Sequence, residues 1–546
     1  MKRSTYIWSL LVGCVAFATS CDLTENVQVK ADKSMIFGSK SGLELYSNSF
    51  YKALPTLKNG FMQDKMCDVG AVSNTDTFIK QGAYNTETAT SWSWGALKNV
   101  NYFIDGCNDP KYCTVEAETR DNYLGIARWF RAWFYYDKLT TYGEVPWFPN
   151  DIQSYQNDVM YKDRDSRDVI IRNLIADLDF AYEHIQATSS TGSATLTRWA
   201  AAALKSRVCL FEAAYRRYHN LTGLEITPEE LYREAAKAAK LVIDNSGCSL
   251  NTAAGKKGAY RDLFYSETPL TQEVILAVCA NEKSGIFGEQ NWWFNARSYG
   301  LCWSLVRSFV HTYLKQDGTP FTAAADYAVK SFAEEMEGRD LRLEQTVRGR
   351  NFLWDGKTAV ADIKNLSLTG YQVIKYTLDE SKYDGGAKNI NSIPLIRYAE
   401  VLLNYAEAQA ELGVITDSEW ALTVGALRKR AGITGGTETL PTTVDSYLQR
   451  TFYPDVTSPV LLEIRRERAI ELVAEGMRFD DLRRWKCGSL METLPWSGIH
   501  IPGLEQPVDV NGDGVNDYYF TEGEVASAPA AYKNIAVRVN QDGVGL

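Results

Sequence analysis

Two short stretches of this chain concentrate side chains that could do chemistry, one aromatic and one acidic. Asn291-Trp292-Trp293-Phe294-Asn295-Ala296-Arg297-Ser298-Tyr299 packs four aromatic rings, two amides and a guanidinium into a single loop. Flat indole and phenol rings cover the apolar C–H face of a sugar at little conformational cost, and neighbouring amides serve its hydroxyls. Trp292, Trp293, Asn295, Arg297 and Tyr299 are therefore the first candidates for ligand contact. Adjacent tryptophans point different ways, so one is expected in the core and one in a cleft. A purely hydrophobic plug for the loop is the competing reading. A sparser cluster, Asp76-Thr77-Phe78 with Tyr84, sits in the N-terminal loop. Trp92 and Trp94 stand at the start of a helical pattern and read as core.

The acidic stretch is Asp509-Val510-Asn511-Gly512-Asp513-Gly514-Val515-Asn516-Asp517. Asp509, Asn511, Asp513 and Asp517 supply oxygens at positions 1, 3, 5 and 9 of a calcium loop, Val515 a carbonyl at position 7, and Gly514 the sharp turn at position 6. Position 12 is Phe520 rather than glutamate, so Glu522 or Glu524 would have to close a Ca2+ site. The competing reading is an Asn-Gly or Asp-Gly turn between short strands. Enzyme signatures are missing: no GxSxG elbow, no P-loop and no HExxH. The four histidines, His184, His219, His311 and His500, have no metal spacing. Two glycosidase carboxylates need a set separation across a cleft, which no sequence spacing encodes.

The elements that must position these stretches are mostly helices. Helical patterns cover Trp94–Asp105, Asp121–Leu139, Ser166–Ile185, Thr197–Tyr218, Thr227–Asp244, Pro394–Leu412 and Ser418–Ala431. A further helix is expected over Leu305–Leu314. Ile126, Phe130, Trp133, Phe134 and Trp129 place apolar side chains on several faces of the second helix, which marks it as central and buried. Thr227-Pro228-Glu229-Glu230 is a capping box. Near the C-terminus, Ser458 and Pro459 start a helix with Ile470, Val473 and Met477 on one stripe and Glu467, Glu471 and Glu475 on another, near Arg468 and Arg478. Gly476 is expected to end it, and Gly488 the short helix that follows. Helix pairs with small residues at their crossings point to an all-α, degenerate tetratricopeptide-like fold with long irregular insertions and a few short strands. The insertions fall at 22–90, 246–300, 315–390 and 488–546.

The net charge of −10 argues against nucleic acid as a partner. Lys2 and Arg3 precede an apolar run from Tyr6 to Ala18, which is too short to span a bilayer and has the layout of a signal peptide. It ends at Ala18-Thr19-Ser20-Cys21, a lipid-acceptor pattern. Leu11-Val12-Gly13-Cys14 is a second match, but Cys21 leaves the longer apolar run and is followed at once by a polar tether. The expected organisation is a signal over 1–20, a tether over 21–35 and one domain over 36–546, with halves meeting near residue 300. Of the cysteines beyond Cys21, only Cys107 and Cys113 are close enough in sequence for a small-loop disulfide.

Six blocks, in order, resemble the SusD/RagB-like outer-membrane nutrient-binding lipoproteins. They include Arg131-Ala132-Trp133-Phe134-Tyr135-Tyr136 with Tyr142-Gly143-Glu144-Val145-Pro146, the alanine run Ala200–Ala203 with Lys205-Ser206-Arg207, and Arg339-Asp340-Leu341-Arg342. Ile396-Arg397-Tyr398-Ala399-Glu400 and the segment from Leu461 to Trp485 complete the match. The resemblance implies a non-enzymatic glycan-binding lipoprotein, anchored to the outer membrane through Cys21, that serves a SusC-like TonB-dependent transporter. It also implies ligand contacts from the N-terminal loop. The alternatives are the same scaffold serving peptides or another non-sugar nutrient, and a surface glycoside hydrolase.

Overall fold

The computed structural model describes residues 32–58, 64, 67–73, 92–295 and 302–539. Cys21, Asp76, Phe78, Tyr84, Arg297 and Tyr299 lie outside the described residues.

Helices α1 (Gly95–Asn108), α2 (Ala117–Tyr142), α3 (Arg167–His184), α4 (Arg198–Tyr218) and α5 (Pro228–Asn245) stack in sequence order, each on its predecessor. After α6 (Gln290–Asn295), the stack resumes with α7 (Tyr398–Glu411) on α5 and α8 (Pro459–Glu471) on α7, while α9 (Arg478–Arg484) packs on α4. The starts follow from sequence. Ser166, Thr197 and Ser458 accept N–H groups of the first turns of α3, α4 and α8, and Thr227 and Glu230 form the capping box of α5. The buried alanines at 200–203 let α4 approach α3 and α5 closely. On α2, Trp129 and Phe130 are both buried, as a helix apolar on several faces requires. The resulting all-α fold is of the tetratricopeptide-like kind.

Short strands occupy the insertions: β1 (Gly70–Ala71), β2 (Val274–Val278), β3 (Ser304–Leu305), β4 (Ile393–Arg397), β5 (Gln506–Val508), β6 (Tyr518–Thr521) and β7 (Ala536–Arg538). β1 pairs with β3, β2 with β4, and β5–β6–β7 form a small sheet, antiparallel then parallel.

Several boundaries differ from expectation. Pro394–Arg397 is strand, not the first turn of α7. Ile393 precedes a proline, which disfavours the helical region, and the run Ile-Pro-Leu-Ile is nearly all buried between layers. The 418–431 helix is two pieces, Asp417–Leu422 and Val424–Arg430, broken at Thr423, whose hydroxyl bonds back to the Glu419 carbonyl at 2.6 Å. Over 305–314 only Arg307–Val310 is helical. The Trp292 stretch is helical through Asn295 rather than a loop.

The largest departure concerns the charged C-terminal segment. α8 stops at Glu471, and a turn with left-handed Ala474 and Gly476 joins it to α9, which ends at a left-handed Lys486 rather than at Gly488. Glu467 and Glu471 are buried, Glu475 is half-buried, and all three serve arginines from distant elements. Arg342 Nη1 lies 2.6 Å from Glu467 and 2.8 Å from Glu471. Arg397 reaches Glu471 at 2.6 Å and Glu475 at 2.7 Å, Arg430 bonds Glu471, and Lys375 reaches Glu475 at 2.7 Å. Arg468 and Arg478 pair with Asp481 and Asp68, not with neighbouring glutamates. Burial pushes the Glu471 carboxyl up, but Arg430, Arg397 and Arg342 together outweigh it and hold it well below the usual range.

Candidate functional site

A cavity of about 670 Å³ opens between the start of α1 and the segment that links α2 to α3. That is the size range of ligand pockets. Trp92, Trp94 and Phe148 give it flat apolar walls, and Met160, Tyr161 and Arg164 stand on its far side. Trp92 is 43% exposed and Tyr161 79%. The reading of Trp92 as core is therefore corrected: the helix starts only at Gly95, and the residue stands ahead of its first turn. Trp94 does pack inward, edge-on to Phe148 at 5.4 Å, with Trp92 edge-on to it at 5.1 Å.

The floor is held by the block Arg131–Pro146. α2 ends at Gly143, whose φ of +75° turns the chain back and suits glycine. Tyr135 Oη accepts the Phe148 N–H at 2.7 Å. Arg131 donates to the Pro149 carbonyl at 2.9 Å while bound to both oxygens of Asp177 at 2.7 Å. From α1, the buried Asn101 amide donates to the carbonyls of Phe148 at 2.8 Å and Asn150 at 3.0 Å. The far wall is fastened at Asp165, which accepts the Trp147 N–H at 2.6 Å. These polar side chains thus act as scaffold, and the rings are left to face the opening.

The structure also joins the roots of the two sequence-predicted clusters. Ala71 pairs with Ser304 and Gly70 with Leu305 in the antiparallel β1–β3 pair. The segment carrying Asp76, Phe78 and Tyr84 leaves just after β1, and the segment carrying Arg297 and Tyr299 arrives just before β3. The first of these segments ends at Trp92, on the cavity wall. Gly70 is obligatory there, because a Cβ would sit 2.6 Å from the Trp303 indole nitrogen.

In α6, Trp293 packs against the main hydrophobic cluster, and Trp292 stands edge-on to it at 4.7 Å. Asn295 spends its amide internally: it donates to Asp384 at 3.0 Å and accepts from Gln372 at 3.2 Å. Trp92, Phe148 and Tyr161 were missed from sequence. Trp92 had a signal, since an aromatic ahead of a helix's first turn need not face inward, but Phe148 and Tyr161 had none.

The acidic loop joins β5 to β6. Asp509 accepts the N–H groups of Gly512 at 2.7 Å, Asp513 at 3.2 Å and Gly514 at 2.7 Å, and Asp517 accepts that of Val510 at 2.8 Å. Asp513 accepts the Val515 N–H at 2.9 Å and the Asn511 amide at 3.1 Å. Burial, with Asp513 and Asp509 nearby, pushes the Asp517 carboxyl up. Among the described residues no group of three or more His, Cys, Asp or Glu side chains converges on a metal position. The carboxylates retain lone pairs for further ligation, since each ionised group can accept about four bonds. The described cysteines, Cys107 and Cys113 included, are free.

Helix pairs wrapped by aromatic-rich insertions define the fold, and solved structures share it. A SusD-like carbohydrate-binding protein from Bacteroides fragilis is similar with a TM-score of 0.67 at 20% identity, over 88% of this chain and 94% of that one. A second SusD-like protein from the same organism gives a TM-score of 0.62 at 23% identity, over 84% and 88%. A structure solved with a xylogluco-oligosaccharide gives 0.54 at 18% identity, over 81% and 82%. No curated protein matches. The sequence profile of the SusD family matches residues 272–534 of this chain.

Proposed function

We propose that this protein is a cell-surface lipoprotein that captures an oligo- or polysaccharide and delivers it to a SusC-like TonB-dependent outer-membrane transporter. The carrying observation is the aromatic-walled cavity beside Trp92 on a SusD-like scaffold. Asp76, Phe78, Tyr84, Trp292, Arg297 and Tyr299 are proposed as further ligand contacts. Cys21 is the proposed lipid acceptor, in keeping with the absence, among the described residues, of any helix long and apolar enough to cross a membrane. The protein acts by binding, without catalysis. The acidic loop is proposed as a structural calcium site, in which a cation would relieve the mutual repulsion of Asp509, Asp513 and Asp517.

A glycan array probed with protein starting at Asp22 tests the main reading. Binding that Trp92→Ala abolishes supports it, and reducing ends released during the assay would make the protein a hydrolase instead. Purification from membranes in mild detergent should bring a β-barrel along. Recovery of free monomer alone would refute the transporter partnership. Cys21→Ala should release the protein from the membrane fraction, whereas release by Cys14→Ala would reassign the anchor.

A further inference from the structure

The cavity lining is rich in hydrogen-bond donors and poor in acceptors. Its charged side chains are Lys98, Lys162, Arg164 and Asp163, three cations against one carboxylate. Two of the cations stand against the ring walls. The Arg164 guanidinium lies 5.7 Å from the centre of the Trp92 ring, and Lys162 Nζ lies 5.6 Å from that of Phe148. Lys98 Nζ donates to Asp151 at 3.0 Å and to the Ile152 carbonyl at 2.8 Å, and Lys162 Nζ lies 2.6 Å from Asp165. Neither of those carboxylates lines the cavity. An ammonium has three donors, so each lysine keeps an N–H beyond these bonds. Arg164 is freer still. It is exposed, and among the described residues its hydrogen bonding is one long reach to the Tyr142 carbonyl at 3.5 Å. No carboxylate among the described residues pairs with it, its neighbour Asp163 included.

A sugar hydroxyl both donates and accepts, so a wall suited to neutral sugars mixes donors with acceptors. A carboxylate or sulfate only accepts, and its bonds to a guanidinium are bidentate and roughly twice as strong as neutral ones. An unpaired guanidinium beside a tryptophan face therefore offers one ligand two things at once. The indole covers the C–H face of a sugar ring, and the fork of N–H groups meets an acidic substituent on that ring. On the reading of the cavity as a glycan site, we infer that it prefers acidic oligosaccharides, those bearing a uronate carboxylate or a sulfate ester, with Arg164 as the residue that reads the charge.

The test is an array of matched pairs, followed by calorimetric titration of the hits. Oligogalacturonides and glucuronoxylan oligosaccharides stand beside their carboxyl-reduced forms, and sulfated galactan oligosaccharides beside their desulfated forms. In at least one pair the acidic member should bind about tenfold or more tightly than its neutral partner, and Trp92→Ala should abolish that binding. The same Kd should weaken about fivefold or more between 50 and 500 mM NaCl, because the attraction is screened. Arg164→Gln should bring the ratio within the pair below about twofold, and Arg164→Lys should restore part of it. Equal or tighter binding of the neutral members, lost in Trp92→Ala, would overturn the acidic preference and leave the glycan reading intact. An acidic preference that Arg164→Gln leaves in place would overturn the assignment to Arg164. No bound glycan of either kind would overturn the glycan reading itself.

Discussion

The interior around Glu471 and the cavity beside Trp92 both mix rings with charges, yet they use them in opposite ways. Around Glu471, guanidiniums and carboxylates are sealed from water and each finds several partners, so charge specifies how distant helices meet. At the cavity, charges pair along the rim in reach of solvent, with the Lys98 side chain 59% exposed, and the rings are left to define the opening. Losing one partner of a buried pair strands an uncompensated charge, whereas an exposed pair is worth little. Architecture in this molecule is therefore written in buried arginine and glutamate, and the proposed recognition in half-exposed aromatics.

The comparison breaks first at Glu471. Glu471→Gln keeps the volume but removes the charge facing Arg342, Arg397 and Arg430, and should cost about 3–5 kcal/mol, read as a lower urea midpoint at unchanged slope. Glu225→Gln, in the exposed pair with Arg172, should cost under about 1 kcal/mol. Equal losses would erase the distinction between the two regions.

Acid should attack the same network. Glu471, Glu475, Glu407 and Asp481 are each pushed up by burial and pulled further down by their arginine or lysine partners, to a net lowered value. A carboxyl lowered in the folded state contributes stability that is present above its unfolded value, 4.5 for Glu, and lost as pH falls through the folded one. Melting temperature should therefore drop most steeply below about pH 4.5. Asp64 runs the other way: burial raises it to about 7, so its contribution is full below 3.8 and disappears as pH rises through 7. A melting temperature flat from pH 6 to 3 would contradict the network's role.

The aromatic side sharpens through two tryptophan pairs. Trp92→Ala should weaken glycan binding about tenfold or more with little change in melting temperature, while Trp94→Ala, stripped from Phe148, should lower both. In α6, Trp293→Ala should destabilise, by less than the roughly 3–5 kcal/mol of a fully buried ring, and Trp292→Ala should act on binding. Wild-type binding by all four variants would move the site elsewhere. The smallest effect is at the acidic loop: Asp513→Ala should lose a few degrees of melting temperature in calcium and none in chelator. Equal loss in both would make the loop a plain turn.

Much of the scaffold was legible in the chain because its signals are local. Thr227 and Glu230 announce a helix start three residues apart, and Ala200–Ala203 announce a close crossing. The strand at Ile393–Arg397 was hidden, because an apolar run fits strand and helix alike until its partner β2 is known. The buried pairing of Glu471 was hidden for a related reason. Periodicity shows which residues share a face of α8, but not that the face meets Arg342, Arg397 and Arg430. The site was read at Trp292 from composition, whereas the cavity is assembled from Trp92, Phe148 and Tyr161, three residues separated in sequence and joined only by the turn at Gly143.

The Glu471 network also sets an order of assembly. Arg342, Arg397 and Arg430 leave the ribosome before Glu467, Glu471 and Glu475, so their buried positions cannot close until the last part of the chain has been made. Contacts so distant in sequence form slowly, after long loops have closed. On the proposed route to the cell surface, a polypeptide that stays open until its end has been synthesised is one that can still be threaded through a translocation channel, and it locks into shape on the far side.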